Sequence, residues 1–176
     1  MRRLKHWLEY QGVRLLLFLA QTLPLARVLA LGEALGKFTF SILRIRRRVA
    51  LENLAQAFPE KSATELKQIA RRSYENLGMM MLEYLQLPKL SPNEFLQRMS
   101  FSMPKEQNPF EQALAFGKGA ICMTGHFGNW EYLGAIMPFV KYPMVYLYQE
   151  QSNPYVDALI RATRTKMNMP IIPRGA

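Results

Sequence analysis

The chain has 176 residues, 49% of them hydrophobic, with one cysteine and two histidines. That length suits a single core, and a mean hydropathy of −0.09 argues against several membrane spans. The net charge of +10 is uneven: residues 1–48 hold ten Lys or Arg and only Glu9 and Glu33, whereas the rest hold 13 basic and 11 acidic residues. These charges flank apolar stretches and do not alternate with exposed aromatics, so the expected partner is an anionic membrane surface and not nucleic acid.

Met1-Arg2-Arg3-Leu4-Lys5 followed by Leu15–Ala20 imitates the start of a signal peptide, but no clean small-x-small cleavage site follows. A spanning helix needs about 20 mostly apolar residues. Only twelve separate Arg14 from Arg27, with Gln21, Thr22 and Pro24 among them. Basic residues also stand on both sides, at Arg2, Arg3 and Lys5 and again at Arg44, Arg46, Arg47 and Arg48. The positive-inside rule places both flanks in the cytoplasm. Residues 1–43 therefore read as a helix pair, broken at Pro24 and lying in the membrane interface; ordinary core-packing helices are the alternative.

The spacing of Ile45, Val49, Leu51, Leu54 and Phe58 predicts a helix over 44–58, ended by Pro59. Ser62-x-x-Glu65 is a capping box opening a helix through about Leu85. Its Ile69, Tyr74, Leu77, Met80, Met81 and Tyr84 form the expected buried stripe. Pro88, Pro92 and Pro104 punctuate a connection, and Asn108-Pro109 starts a helix that Gly117 stops. The pattern then alternates: strand Ala120–Thr124, helix Asn129–Met137, strand Met144–Tyr148, helix Pro154–Met167 and a short strand at Ile171–Ile172. The predicted class is α/β, with N-terminal helices followed by strands and helices alternating around a mainly parallel sheet. Cys122, inside an apolar run, is expected to be a small buried hydrophobe and not a nucleophile.

His126-Phe127-Gly128-Asn129-Trp130-Glu131 carries the chemistry. Imidazole is the side chain whose ordinary pKa lies near neutral, and the other histidine, His6, sits in the basic N-terminal segment. A spacing of five is wrong for one helix face, so His126 and Glu131 meet only if the histidine precedes the helix and the glutamate lies in its first turns. His126 then stands at the carboxyl end of a strand, where open α/β sheets place ligands. Such a pair forms a general base and its orienting carboxylate. A capping or packing histidine and a solvated first-turn acid are the alternatives. Asn129 suits an N-cap better than a substrate contact, Asn153-Pro154 is also a generic helix start, and Asp157 reads as a first-turn acid. No second His or Cys stands at zinc-ligand spacing from His126, so neither a metal nor a cofactor is expected.

Taken in order, Asn53-Leu54 through Ala57-Phe58-Pro59-Glu60, the His126–Glu131 block, Asn153-Pro154-x-x-Asp157 with Arg164, and Ile172-Pro173-Arg174 resemble the late lipid A biosynthesis acyltransferases, which carry an H-x4-D/E motif. The resemblance runs from about residue 44 to the last residue. It implies transfer of a fatty acyl chain from acyl carrier protein, or coenzyme A, to a hydroxyl of a lipid A precursor. It implies His126 and Glu131 as catalytic residues, with Arg164, Asn129 and Asn153 toward substrate; Arg161 competes with Arg164 for that position. It also implies a location on the cytoplasmic face of the bacterial inner membrane. Residues 1–43 would be the membrane-associated helices and 44–176 the N-terminal part of the acyltransferase domain. Many members have Tyr-Arg-Pro where this chain has Tyr148-Gln149-Glu150. Family chains continue well beyond Pro173-Arg174-Gly175-Ala176, so a C-terminally truncated, incomplete sheet is expected.

Overall fold

The computed structural model describes residues 2–99, 108–140, 142 and 144–174. Pro104 of the expected connection falls outside them. Two compact units divide the chain, Met1–Gln86 and Leu87–Ala176.

The first unit is helical. It comprises α1 (Arg2–Thr22), α2 (Leu25–Phe38), a π-helical turn at Thr39–Leu43, α3 (Arg47–Ala57) and α4 (Ala63–Gln86). Pro24 lacks an N–H and so separates α1 from α2. The carbonyls left near that break are met from α4: the buried Gln86 donates its Nε2 to Ala20 O at 2.9 Å and to Leu23 O at 3.3 Å. Around this polar tie, Ala20, Val28 and Leu82 pack with Leu16, Leu31, Leu35 and Leu85. Leu4, Leu8, Leu15 and Phe18 share another side of α1 by their helical spacing and remain exposed. Among the described residues, no helix is long and apolar enough to cross a membrane.

Glycine sets how closely α2 and α4 approach. A Cβ on Gly32 would lie 2.6 Å from Gly78 O and from Met79 Cα, and one on Gly36 would lie 2.6 Å from the Tyr74 carbonyl carbon. The backbones touch where side chains would otherwise stand, a mode of helix packing that small residues permit. This contact also corrects the expected stripe. Met80 and Tyr84 are buried, but Leu77 and Met81 are exposed, because α4 turns its glycine-bearing side toward α2.

The helix expected over 44–58 begins later than its apolar spacing indicates. Arg44 and Arg46 both take left-handed backbone, with φ of 54°. The Arg44 N–H closes the π turn on Thr39 O at 2.8 Å, and regular helix starts only at Arg47. At the next helix start, Ser62 and Glu65 make the expected capping box: the Ser62 N–H donates to Glu65 Oε2 at 2.9 Å, and the Glu65 N–H donates to Ser62 Oγ at 3.3 Å.

In the second unit, a 3₁₀ turn at Leu87–Lys89 precedes α5 (Pro92–Gln97), α6 (Pro109–Leu114), α7 (Trp130–Ile136), β1 (Tyr146–Tyr148), α8 (Pro154–Lys166) and β2 (Ile171–Pro173). β1 and β2 are parallel, pairing Tyr146 with Ile171, Leu147 with Ile172 and Tyr148 with Pro173, with α8 as the connection. Tyr132 of α7 packs against the buried Phe95, ring centroids 5.4 Å apart, and Tyr146 donates its hydroxyl to Gly134 O at 2.7 Å. The protein is thus mostly helical with a small parallel two-stranded sheet, as an incomplete α/β domain predicts.

The strand expected at Ala120–Thr124 does not form. Ile121 and Met123 are 95% and 94% exposed, and Cys122 is an exposed free thiol instead of a buried hydrophobe. β-propensity is largely packing against neighbours on a pleated surface. Among the described residues β1 and β2 pair only with each other, so this apolar run has no ladder to join.

Candidate functional site

The residues expected to form the site gather around α7 and α8. Asn129 caps α7: its Oδ1 accepts from the Tyr132 N–H at 3.2 Å. Glu131 follows in the first turn, where the helix dipole favours an acid. Asn153 is buried and caps α8, accepting from the N–H groups of Tyr155 at 3.1 Å and Val156 at 3.4 Å. Both asparagines therefore hold helix starts. Arg164 stands one helix away in sequence, in the last turn of α8.

Glu131 and Arg164 meet. Arg164 Nη2 donates to both carboxylate oxygens, at 2.8 and 3.1 Å. With side chains only 14% and 17% exposed, the pair is shielded far more than a surface ion pair, where about 0–1 kcal/mol is usual. The Arg164 Nε is buried without a hydrogen-bond partner.

A single aromatic ring supports both arginines of α8. Tyr148, 4% exposed at the end of β1, lies under the guanidinium of Arg164 at 4.9 Å and that of Arg161 at 5.4 Å. Its hydroxyl donates to Asp157 Oδ1 at 2.7 Å. Asp157 also accepts from the Gln151 N–H at 2.7 Å and from Arg161 Nε at 2.7 Å. Arg161 completes this arrangement with an ion pair to Glu150. Asp157 is the expected first-turn acid of α8 and also the centre of a network. Arg161 is engaged by two carboxylates, and Arg164 is the arginine that reaches Glu131.

Burial pushes Asp157 up, but the bonds from Gln151, Tyr148 and Arg161 outweigh it and hold the carboxyl below its ordinary range. For Tyr148, burial comes first and the bond to Asp157 adds to it, raising the phenol to about 12. The folded state therefore keeps this proton when the unfolded chain, at about 10, has lost it. The stabilisation is intact below pH 10 and disappears as the pH rises through about 12. Denaturant unfolding across that window should show a falling stability that Tyr148→Phe flattens. Identical slopes for the two proteins would mean the phenol is not held this way.

His126 stands apart from the pair. It is exposed, and its ring meets the edge of Trp130, centroids 4.6 Å apart. The Phe127 N–H closes on Gly125 O at 3.0 Å, and Gly128 takes φ +51°, so the backbone turns tightly on both sides of the histidine. Among the described residues His126 makes no hydrogen bond to Glu131. A carboxylate offers about four lone-pair positions, and Arg164 occupies one on each oxygen. Glu131 therefore retains acceptor capacity for an imidazole N–H while Arg164 holds it. The Tyr148 platform and the Arg164–Glu131 pair are both invisible in sequence spacing. Their one signal is the pair of arginines three apart on a helix that follows a strand-ending tyrosine.

A family model described as bacterial lipid A biosynthesis acyltransferase matches residues 1–176. The chain is 26% identical over 170 residues to the lipid A biosynthesis lauroyltransferase of Escherichia coli (strain K12), which covers 97% of this chain and 54% of that protein. It is 25% identical over 171 residues to the lipid A biosynthesis palmitoleoyltransferase of the same organism and to a lipid A biosynthesis acyltransferase of Shigella flexneri, with the same 97% and 54% coverage. The chain thus spans about half the length of the curated relatives it matches. No solved structure matches it significantly. With its whole length matched by the family model, the chain belongs to the bacterial lipid A biosynthesis acyltransferase family.

Proposed function

We propose that this protein is an O-acyltransferase of lipid A biosynthesis, acting on the cytoplasmic face of the bacterial inner membrane. The acyl group comes from an acyl carrier protein thioester, or from coenzyme A, and goes to a hydroxyl of a lipid A precursor. The observation that carries this reading is the Glu131–Arg164 pair at the head of α7, five residues after His126, in a chain matched end to end by that family.

In this reading His126 takes the proton of the acceptor hydroxyl as its oxygen bonds to the thioester carbon. Glu131, accepting from the other ring nitrogen, fixes the tautomer and stabilises the imidazolium. The carbon–sulfur bond breaks, and the proton passes from His126 to the departing thiolate. Arg164 holds Glu131 in place, and its Nε, buried without a hydrogen-bond partner, is a donor for a developing oxyanion. Mass spectrometry of lipid A from cells lacking their own late acyltransferase, but expressing this protein, tests the reading. An added acyl chain that vanishes with His126→Ala is the expected result, and unchanged lipid A would overturn it.

A second reading is a lipid-binding polypeptide without an assembled active site. It is favoured by the exposed position of His126 and by the unpaired 120–124 segment. The same experiment separates the two, because only the first yields acylated product.

Membrane association belongs to both readings, with residues 1–43 as interfacial helices and 44–176 carrying the acyltransferase portion. Its support is the exposed apolar side of α1 and the arginines at 44, 46, 47 and 48. Replacing these four by Gln should weaken binding to anionic vesicles strongly and in a salt-dependent way, at about 1 kcal/mol per basic residue near the surface. Vesicle sedimentation indifferent to both salt and substitution would leave only the apolar contribution.

A further inference from the structure

The N-terminal unit contains a concave site of its own. A cavity of about 460 Å³ opens between the π turn, α3 and α4, and its lining includes Phe40, Ser41, Arg47, Thr64, Lys67 and Arg71. Positions 64, 67 and 71 are three and four apart, so they share one face of α4. Three cations from two helices converge there, and no carboxylate is in the lining.

One of these cations is fixed in place. The Arg47 guanidinium lies 4.6 Å over the Phe40 ring, and Phe40 is 2% exposed and packed edge-on against Tyr74 at 5.4 Å. Tyr74 in turn donates its hydroxyl to Ile45 O at 2.6 Å, tying the turn before α3 to α4. Seating a guanidinium on a ring by its face leaves its edge donors directed elsewhere. Among the described residues neither Arg47 nor Lys67 forms an ion pair, and Arg71 gives only its Nε to Glu75, at 2.8 Å. Three like charges with a counter-charge on Arg71 alone, and with Arg47 preorganised, suit a ligand that brings negative charge and several acceptor oxygens.

We infer that this cavity binds the phosphate of an anionic phospholipid headgroup. The lipid source follows from its border. Ile42, Leu43 and Ile45, in the turn joining the lining residues Ser41 and Arg47, are all exposed. A soluble phosphate ester has no use for them, whereas an amphiphile places its phosphate among the cations and its glycerol and acyl carbons on the apolar turn. The inference rests on the membrane part of the proposed function and not on the acyl transfer. It adds recognition of phosphate as such to attraction by diffuse charge.

The test compares two kinds of phosphatidylcholine vesicle of matched surface charge, one made anionic by phosphatidic acid and the other by oleate. The protein should prefer the phosphatidic acid vesicles by about tenfold, or about 1.4 kcal/mol. Lys67→Gln/Arg71→Gln should erase that preference while binding to oleate vesicles persists. Arg47→Lys, which keeps the charge but loses the planar fork, should reduce the preference too, and serves if the double variant misfolds. Equal binding of the unsubstituted protein to both vesicles would overturn the phosphate site while leaving membrane association intact. Binding to neither would overturn both. Glycerol phosphate competing as effectively as the lipid would overturn the lipid assignment in favour of a soluble ligand.

Discussion

Replacing His126 by Ala should lower acyl transfer by about 10² to 10⁴-fold, the usual contribution of a positioned general base, or about 3–5.5 kcal/mol of barrier. The fold should be indifferent to the change, because the side chain is exposed and, among the described residues, its one ring contact is with Trp130. Thermal unfolding and vesicle binding of the variant should therefore match the parent. Glu131→Ala should be as inactive but less innocent. It strips Arg164 of its carboxylate in a mostly buried setting, so part of its effect should appear as reduced stability. Because base and orienter act as one unit in the proposed reaction, the double variant should be little worse than either single one. His126→Ala retaining more than about a tenth of the activity would exclude the general-base role, since that loss is under about 1.4 kcal/mol.

In this structure the imidazole is not yet bonded to Glu131, so the same experiment bears on how the site assembles. Arg164 already fixes the carboxylate on the Tyr148 platform, whereas His126 rides on an exposed turn between Gly125 and Gly128. In the proposed reaction the turn brings the ring to the carboxylate, and not the reverse. Catalytic hydrogen bonds that are long or unmade without substrate commonly tighten once it binds. The Tyr148-Gln149-Glu150 departure acquires a physical meaning here. Glu150 draws Arg161 toward itself, and Asp157 holds the same guanidinium by its Nε, which leaves Glu131 to Arg164.

Those parts of the fold governed by local chemistry were legible in the sequence. Pro24 divides the first two helices, Ser62 and Glu65 cap the fourth, and Asn108, Asn129 and Asn153 each begin a helix, because proline geometry and short side-chain caps act within three or four residues. The parallel pairing of β1 with β2 across α8 was likewise readable from the order strand, helix, strand. Features set by distant partners were not. Ala120–Thr124 has the apolar composition of a buried strand, but composition supplies no neighbouring strand, and Cys122 is exposed for the same reason. Leu77 and Met81 fit a helical stripe, yet the packed side of α4 is chosen by Gly78, whose value lies in having no side chain to read. The Glu131–Arg164 contact joins residues 33 apart. Spacing named Glu131 and the family resemblance named Arg164, but neither could join them.

Gly36→Val should destabilise the N-terminal unit by about 3 kcal/mol, at the upper end of what overpacking a tight contact usually costs. The clash is with backbone: a Cβ at position 36 would stand 2.6 Å from the Tyr74 carbonyl carbon and 2.7 Å from Glu75 Cα, and neither atom can rotate away as a side chain would. Relief requires α2 and α4 to separate, which loosens the packing of Val28 and Leu82 and draws Gln86 off the Ala20 carbonyl. That buried carbonyl then loses its donor, adding to the penalty. Gly12 provides the contrast on α1. A Cβ there meets nothing within 4 Å, so Gly12→Ala should gain about 0.5–1 kcal/mol from helix propensity alone. Chemical denaturation followed by helical circular dichroism would measure both. A Gly36→Val protein as stable as the parent would show that the two helices are not held at backbone contact.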